Sequence, residues 1–169
     1  MSKQIFINKS KEIKLVATDI DGVWTNAKMY YTELGEFMKS FSTYDGMASA
    51  LLMNEKIDVA ILTSENSKIV KSRAKKLGIK YVYINEKEKL FRLKYLCNRL
   101  NISINQVAYI GDDINDLEVL ENVGISAMPC TSPILDKYIP DYITKRKGGD
   151  GAFREFADLI IKYRKWYYT

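Results

Sequence analysis

Short apolar runs alternate along this chain with longer stretches of helical period, and that alternation constrains the fold more than any other feature. The runs are IKLVAT (13–18), DVAIL (58–62), KYVYI (80–84), QVAYI (106–110) and GISA (124–127). Between them, GMASALLMNEK (46–56), SKIVKSRAKKLG (67–78), KEKLFRLKYLCNRLN (87–101) and INDLEVLENV (114–123) read as helices. The third of these puts Leu90, Leu93, Leu96, Cys97 and Leu100 on one face. Gly78 suits the residue just past a helix end. A loop with Pro129, Pro133 and Pro140 leads to DYIT, and a last helix is predicted over about 152–167. KMYYT and FMKSFS, joined around ELGE with Gly35 in the turn, predict a β-hairpin over about 28–42. Strands alternating with helices predict an α/β fold, a Rossmann-like parallel sheet with helices on both faces. At 169 residues without repeats or a Pro-rich linker, the chain suits one domain, 1–169.

Composition removes whole classes of chemistry. There is no histidine. That excludes Ser-His-Asp and Cys-His catalysis, histidine-type zinc sites and a phosphohistidine intermediate. The two cysteines, Cys97 and Cys130, form no CxxC and are expected to be buried thiols. The first residues contain no long apolar core of a signal peptide. No run approaches the roughly 18 apolar residues of a membrane helix, so a cytoplasmic protein without membrane contact is expected. The net charge is +5, but the Lys and Arg residues are dispersed, with local clusters at KSRAKK and TKRK. Solvated faces and attraction of an anionic small molecule explain this pattern better than nucleic acid binding.

In parallel sheets ligands bind at the carboxyl ends of the strands. Asp19 and Asp21 follow the first run, and Thr63, Ser64 and Glu65 follow the second. Lys89 comes after the third, and Asp112, Asp113, Asn115 and Asp116 come after the fourth. Taken singly, each has an ordinary explanation as a helix cap, a turn residue or a surface lysine. Taken together, in order and each at a strand end, they place several carboxylates, two hydroxyls and an ammonium on one edge. Clustered carboxylates repel unless a cation intervenes, and an all-oxygen donor set suits Mg²⁺ before Zn²⁺. Asp can attack phosphorus, a carboxyl two residues on can shuttle the proton, and a lysine can offset the charge.

DIDGVWT, ILTSEN, Lys89 and GDDIND match, in order, the motifs of the haloacid dehalogenase-type phosphatases, with GDDIND about ninety residues after DIDG. The resemblance runs from about Ile13 to Ile160. The chain is most similar to the capless members that act on 2-keto-3-deoxy sugar acid phosphates. The hairpin stands in place of a cap domain, FSTYDGM follows it, and KGGDGAFREF lies near the end. The resemblance implies that Asp19 is the nucleophile and Asp21 the general acid/base. Asp19, the Asp21 backbone carbonyl and Asp112 would hold Mg²⁺, with Asp113 and Asp116 orienting the metal shell. Thr63 and Lys89 would bind the transferring phosphoryl group, and Asn115 and Thr43 would reach the substrate. It also implies a homotetramer in which hairpins pack together and a neighbour closes each site.

One departure bears on substrate. Octulosonate 8-phosphate phosphatases usually carry Gly-Arg after the motif threonine, where this chain has Ser64-Glu65. Glu65, with Lys76 and Arg73 on the helix that follows, resembles the nonulosonate 9-phosphate phosphatases. Glu65 would meet sugar hydroxyls, and Lys76 or Arg73 the sugar-acid carboxylate. The expectation is therefore a nonulosonate 9-phosphate substrate. The alternatives are octulosonate 8-phosphate, or a non-catalytic assembly module like those attached to acylneuraminate cytidylyltransferases. A signalling receiver domain fits poorly, because its early acids are adjacent. The basic, aromatic tail IKYRKWYYT suits helix packing on a neighbour, and Arg146 and Lys147, before GGDG, are better placed to reach a neighbour's site.

Overall fold

The computed structural model describes residues 2–165. In chain order the elements are α1 (Lys3–Glu12), β1 (Leu15–Thr18), β2 (Tyr30–Thr32), β3 (Gly35–Met38), α2 (Thr43–Asn54) and β4 (Asp58–Leu62). Then come α3 (Lys68–Lys76), β5 (Tyr81–Tyr83), α4 (Lys89–Leu100), β6 (Val107–Ile110), α5 (Leu117–Asn122), β7 (Ile125–Pro129), β8 (Tyr142–Thr144) and α6 (Ala152–Arg164). Six strands form one sheet in the order β5-β4-β1-β6-β7-β8, all parallel. β2 and β3 pair antiparallel as a separate hairpin. The fold is the expected Rossmann-like α/β architecture. The chain runs outward from β1 through β4 to β5, then returns to β6 on the other side of β1. That reversal opens a crevice at the carboxyl ends of β1 and β6.

Register explains why both faces need helices. Val16 pairs with Val59 and Ala108, while Ala17 pairs with Ala60 and Tyr109. Successive side chains point to opposite faces, so one set of rows builds one core and the next set builds the other. Val16, Val59 and Ala108 pack with Phe6 of α1, Leu52 of α2, Val70 of α3 and Phe153 and Phe156 of α6. Ala17, Ala60 and Tyr109 pack with Leu93 and Leu96 of α4 and Val119 and Leu120 of α5. Each large side chain so buried contributes roughly 1.5–3 kcal/mol. The same rule accounts for the unbroken burial of β1 and β6, which have no polar face to alternate with.

Several boundaries differ from the sequence expectation. α1 carries little apolar signal, since only Phe6 and Ile7 among its apolar residues are buried, and it is held by packing on α6. Gly35 does not sit in the hairpin turn. The turn is Glu33–Leu34, and Gly35 opens β3 at φ 110°. α2 starts at Thr43, three residues before the apolar period, because Ser42 caps it. The stretch 114–123 splits into a 3-10 turn, Ile114–Asp116, and the short α5. Cys97 is buried, but Cys130 is exposed just beyond β7. The last helix is described to Arg164, and the remainder of the tail expectation lies outside the described residues.

Gly151 is the N-cap of α6 and has no side chain to cap it. Asp45, from α2, does so instead, accepting from Gly151 N at 3.3 Å and Arg154 N at 2.9 Å. No helix among the described residues is long and apolar enough to cross a membrane.

Candidate active site

Asp19 is the first residue beyond β1, and its amide donates to Ile110 O at 3.0 Å, bridging the β1 and β6 ends. The loop after it is wound tightly, with the amides of Val23, Trp24 and Thr25 all donating to Ile20 O. Trp24 pins this loop from below. Its indole stacks on Phe153 at 4.8 Å, and its N–H donates to Thr18 Oγ1 at 3.1 Å. The Thr18 hydroxyl in turn donates to Asp19 O at 2.6 Å. Gly22 sits at φ +90°, and a Cβ there would lie 1.8 Å from Asp112 Oδ2. Only glycine lets the DIDG loop approach Asp112 so closely.

The carboxylates of Asp19, Asp112 and Asp116 each place an oxygen within 4.8 Å of the others, and all three residues are buried. Lys89, the first residue of α4, points its ammonium at Asp116 Oδ1 (2.7 Å) and Asp19 Oδ1 (3.2 Å). Asp116 is fully engaged: Oδ1 also accepts from Tyr109 OH, and Oδ2 accepts from the amides of Asp112 (3.0 Å) and Asp113 (3.3 Å). Asp116 therefore orients Lys89 and the 112–113 backbone and has no lone pair to spare for a metal. Asp113 is exposed and caps the 3-10 turn through Ile114 N at 2.7 Å.

One ammonium among three buried carboxylates leaves two negative charges unbalanced. Burial first, then the Asp116 charge, hold the Asp19 carboxyl well above the usual carboxylate range, despite Lys89. Burial and the Asp116 and Asp113 charges push Asp112 up to about 7. Burial pulls the Lys89 ammonium down, but Asp19 and Asp116 outweigh it and hold it above its ordinary value. Asp19 Oδ1 and Asp21 Oδ2 have no hydrogen-bond partner among the described residues, the Asp19–Lys89 contact being an ion pair only. Buried oxygens left in this state await a cation. A hard divalent ion fits this donor set, since it supplies two positive charges and takes oxygen ligands. Among these acids, Asp19 and Asp112 are the carboxylates that could hold it.

Above these acids lies a cleft of about 240 Å³, lined by Asp19, Asp21, Thr63, Ser64, Glu65, Asp112, Asp113 and Asn115, with Ala27 and Met29. A hollow of about 290 Å³ beside Asp58 and Lys80, at the amino ends of β4 and β5, is remote from this chemistry. Thr63 follows β4 with its hydroxyl accepting from Glu65 N at 3.3 Å. Asn115 Nδ2 donates to Ser64 Oγ at 3.1 Å, closing the far wall. Four of the expected substrate residues lie outside the cleft lining, and one of them, Lys89, is buried behind Asp19 and Asp116. Thr43 is exposed at the start of α2, and Lys76 is exposed at the end of α3. Arg73 is turned onto α2, donating to Ser42 O at 3.4 Å with its guanidinium 5.8 Å from the Phe41 ring.

Sequence reasoning missed four residues: Lys39 and Tyr109, which touch the acids, and Glu36 and Ser67, which back Lys39. Lys39, from the segment leaving β3, places Nζ 2.6 Å from Asp21 Oδ1 and 3.0 Å from Glu36 Oε1. Glu36 accepts in turn from Ser67 Oγ, the N-cap of α3. Tyr109 reads as core because it is fully buried in β6, yet its hydroxyl serves Asp116. No local pattern marks Lys39 or Glu36, because their partners lie in other elements.

A parallel sheet with Asp19 and Asp21 at its switch point, a buried lysine on Asp19 and a cluster of three buried carboxylates is the arrangement of a phosphoryl-transfer hydrolase. The model for haloacid dehalogenase-like hydrolases matches residues 9–154, and the chain belongs to that family. It is 38% identical over 154 residues to the 3-deoxy-D-manno-octulosonate 8-phosphate phosphatase of Haemophilus influenzae, covering 91% of this chain and 86% of that one. The crystal structure of the Moraxella catarrhalis 3-deoxy-D-manno-octulosonate 8-phosphate phosphatase, with magnesium, phosphate and KDO, superposes with a TM-score of 0.90 at 35% identity, covering 96% and 93% of the two chains. The Yersinia pestis enzyme of the same name gives a TM-score of 0.90 at 36% identity, covering 95% and 87%. The protein is a phosphatase of this family, and its all-oxygen acidic cluster suits a cation like the magnesium that the Moraxella catarrhalis structure holds. These relatives are eight-carbon enzymes and favour that substrate over the nine-carbon one expected from Glu65.

Proposed function

We propose that this phosphatase hydrolyses the primary phosphomonoester of a 2-keto-3-deoxy sugar acid, with 3-deoxy-octulosonate 8-phosphate as the first reading. The observation that carries it is the buried Asp19 carboxylate, held beside Lys89 at the floor of a polar cleft small enough for a phosphoryl group and part of a sugar chain. Asp19 attacks phosphorus, the bond from phosphorus to the sugar oxygen breaks, and Asp21 delivers the proton to that leaving oxygen. Asp21 then takes a proton from the water that attacks the aspartyl phosphate, releasing inorganic phosphate and restoring Asp19. Lys89 and the Thr63 hydroxyl bind the transferring oxygens. Mg²⁺, when bound by Asp19, Asp112 and the Asp21 carbonyl, supplies charge neutralisation at the phosphate. Asp113 and Asp116 support that cluster, and Ser64, Glu65 and Asn115 line the path of the sugar.

A nonulosonate 9-phosphate is the second reading, favoured by Glu65 in the cleft wall, where it would accept hydrogen bonds from sugar hydroxyls. Arg73 and Lys76 would serve that reading only by reaching a sugar-acid carboxylate beyond the lining of this one chain. A homotetramer accords with the exposed apolar surface of the hairpin and α2, where Tyr31 is 61%, Leu34 94%, Phe37 69% and Met47 54% exposed. A neighbouring copy there would roof the cleft, bringing Thr43, Arg146 or Lys147 toward a site they do not line in their own chain.

The test is phosphate release with Mg²⁺ from octulosonate 8-phosphate and from nonulosonate 9-phosphates, with wild type and Asp19→Asn. Turnover by wild type and none by Asp19→Asn is expected. A clear preference for the nine-carbon ester would replace the first reading by the second. Turnover of neither ester would overturn both.

A further inference from the structure

β2 and β3 form a hairpin apart from the main sheet. The hairpin reaches the acid/base. Lys39 lies just beyond β3, and its side chain is 0% exposed. Its ammonium is shared between Asp21 Oδ1 at 2.6 Å and Glu36 Oε1 at 3.0 Å, and Glu36 is itself tied to Ser67, the cap of α3. Asp21 Oδ1 has a second donor, Thr25 Oγ1 at 3.2 Å. The other oxygen, Oδ2, has no hydrogen bond among the described residues, although Asp21 lines the cleft. The carboxyl group is thus gripped at one oxygen and left without a partner at the other, which is buried.

We infer that Lys39 is a positioning residue for the phosphatase reaction: by holding Asp21 Oδ1 it fixes the plane of the acid/base carboxyl relative to the leaving oxygen of the substrate. The inference rests on the reading of Asp21 as general acid/base. Lys39 does not itself touch substrate, because its ammonium is enclosed by the two carboxylates. A neutral donor such as Thr25 sets one contact. A buried ammonium adds a short charge-assisted one, and Glu36 stops it from drifting into the cleft. Lysine is otherwise expensive to bury, and two carboxylate partners offset that cost. The hairpin and the α3 cap are thereby joined to the proton-transfer atom through three side chains.

Proton delivery matters in proportion to the basicity of the leaving group. A p-nitrophenolate leaves without a proton, whereas a sugar alkoxide needs one. General acid catalysis by a placed carboxyl is worth on the order of 10²–10⁴-fold. Lys39→Met should therefore lower kcat on a 2-keto-3-deoxy sugar acid phosphate by about 10²-fold and on p-nitrophenyl phosphate by less than about tenfold. KM should change little on either. Glu36→Gln keeps the lysine but removes its second anchor, and should give a smaller loss with the same bias toward the alkyl ester. It serves as the independent variant should Lys39→Met fail to fold. Equal losses on both esters, or a loss confined to KM, would make Lys39 a structural tie of the hairpin and overturn the inference. So would unchanged rates. If wild type cleaves neither ester, the phosphatase reading falls first and takes this one with it.

Discussion

Asp112 shows how one side chain carries both stability and function. It is buried among Asp116, Asp113 and Asp21, with only Lys89 to oppose them, and its carboxyl is pushed up to about 7. An unfolded Asp titrates near 4, so the metal-free fold binds a proton that the unfolded chain releases between about pH 4 and 7. Stability of the metal-free protein should therefore fall as pH rises through that window. Mg²⁺ must displace the same proton, and the Asp19 carboxyl is raised as well, so its affinity should rise by about tenfold or more per pH unit below 7. Calorimetric titration with MgCl₂ from pH 5.5 to 8.5 reads this directly. An affinity independent of pH would mean that Asp112 is ionised throughout and the cluster is less buried than described. Asp116 stands in contrast. Four hydrogen bonds or ion pairs occupy its two oxygens, so it acts as the keystone of the lysine and not as a ligand.

At the scale of elements, the site is made where loops touch. The loop after β1 approaches the loop after β6 so closely that Gly22 has no room for a Cβ beside Asp112. The GGDG segment closes over the same loop from outside, with Gly149 N donating to Val23 O at 2.9 Å. Gly22→Ala would force a Cβ onto Asp112 at a φ of +90°. A loss of roughly 1–3 kcal/mol is expected from the backbone alone. The displaced Asp112 should also weaken Mg²⁺ about 10–100-fold, as loss of a support around a metal does. Urea unfolding and Mg²⁺ titration check the two parts separately. An alanine variant with native Mg²⁺ affinity would show that the loop can retreat without moving Asp112. The helices around the sheet act differently. Asp45 of α2 caps α6 across the sequence, so two helices on one face are locked by a single buried carboxylate.

At the scale of the molecule, the cleft stands open to water beneath a hairpin whose apolar residues face outward. Leu34 is 94% exposed and Phe37 69%. A monomer seldom presents so many apolar side chains together. If copies assemble through this surface, Phe37→Glu or Leu34→Glu should dissociate them, with a change of mass visible by light scattering. Activity should fall with it, since the roof over the cleft is lost. A charged variant that keeps the wild-type mass would place the interface elsewhere. Lys39 is in the same hairpin but faces inward, so its effect should persist in a dissociated variant.

Much of this was legible in the residues. Apolar runs of strand length, separated by amphipathic stretches, specify a parallel sheet because buried strands must be apolar on both faces. Asp19, Thr63, Lys89 and Asp112 were found because a parallel sheet sends every strand end to one edge. The chemistry of the cluster also follows from residue type alone: oxygen donors, no histidine, one lysine. α1 was not legible, because two buried apolar side chains make no period and only packing on α6 holds it. Neither was the pairing of Lys39 with Asp21, eighteen residues away in another element. Thr43, Arg73 and Lys76 looked equivalent to Glu65 in the sequence. The structure separates them, since Glu65 follows a strand end and lines the cleft, whereas the other three, on α2 and α3, do not line it. Local pattern determines which elements form and where their ends carry charge. Only the tertiary structure decides which of those charges meet, because Coulombic and hydrogen-bond contacts act over a few ångströms and sequence distance does not measure that.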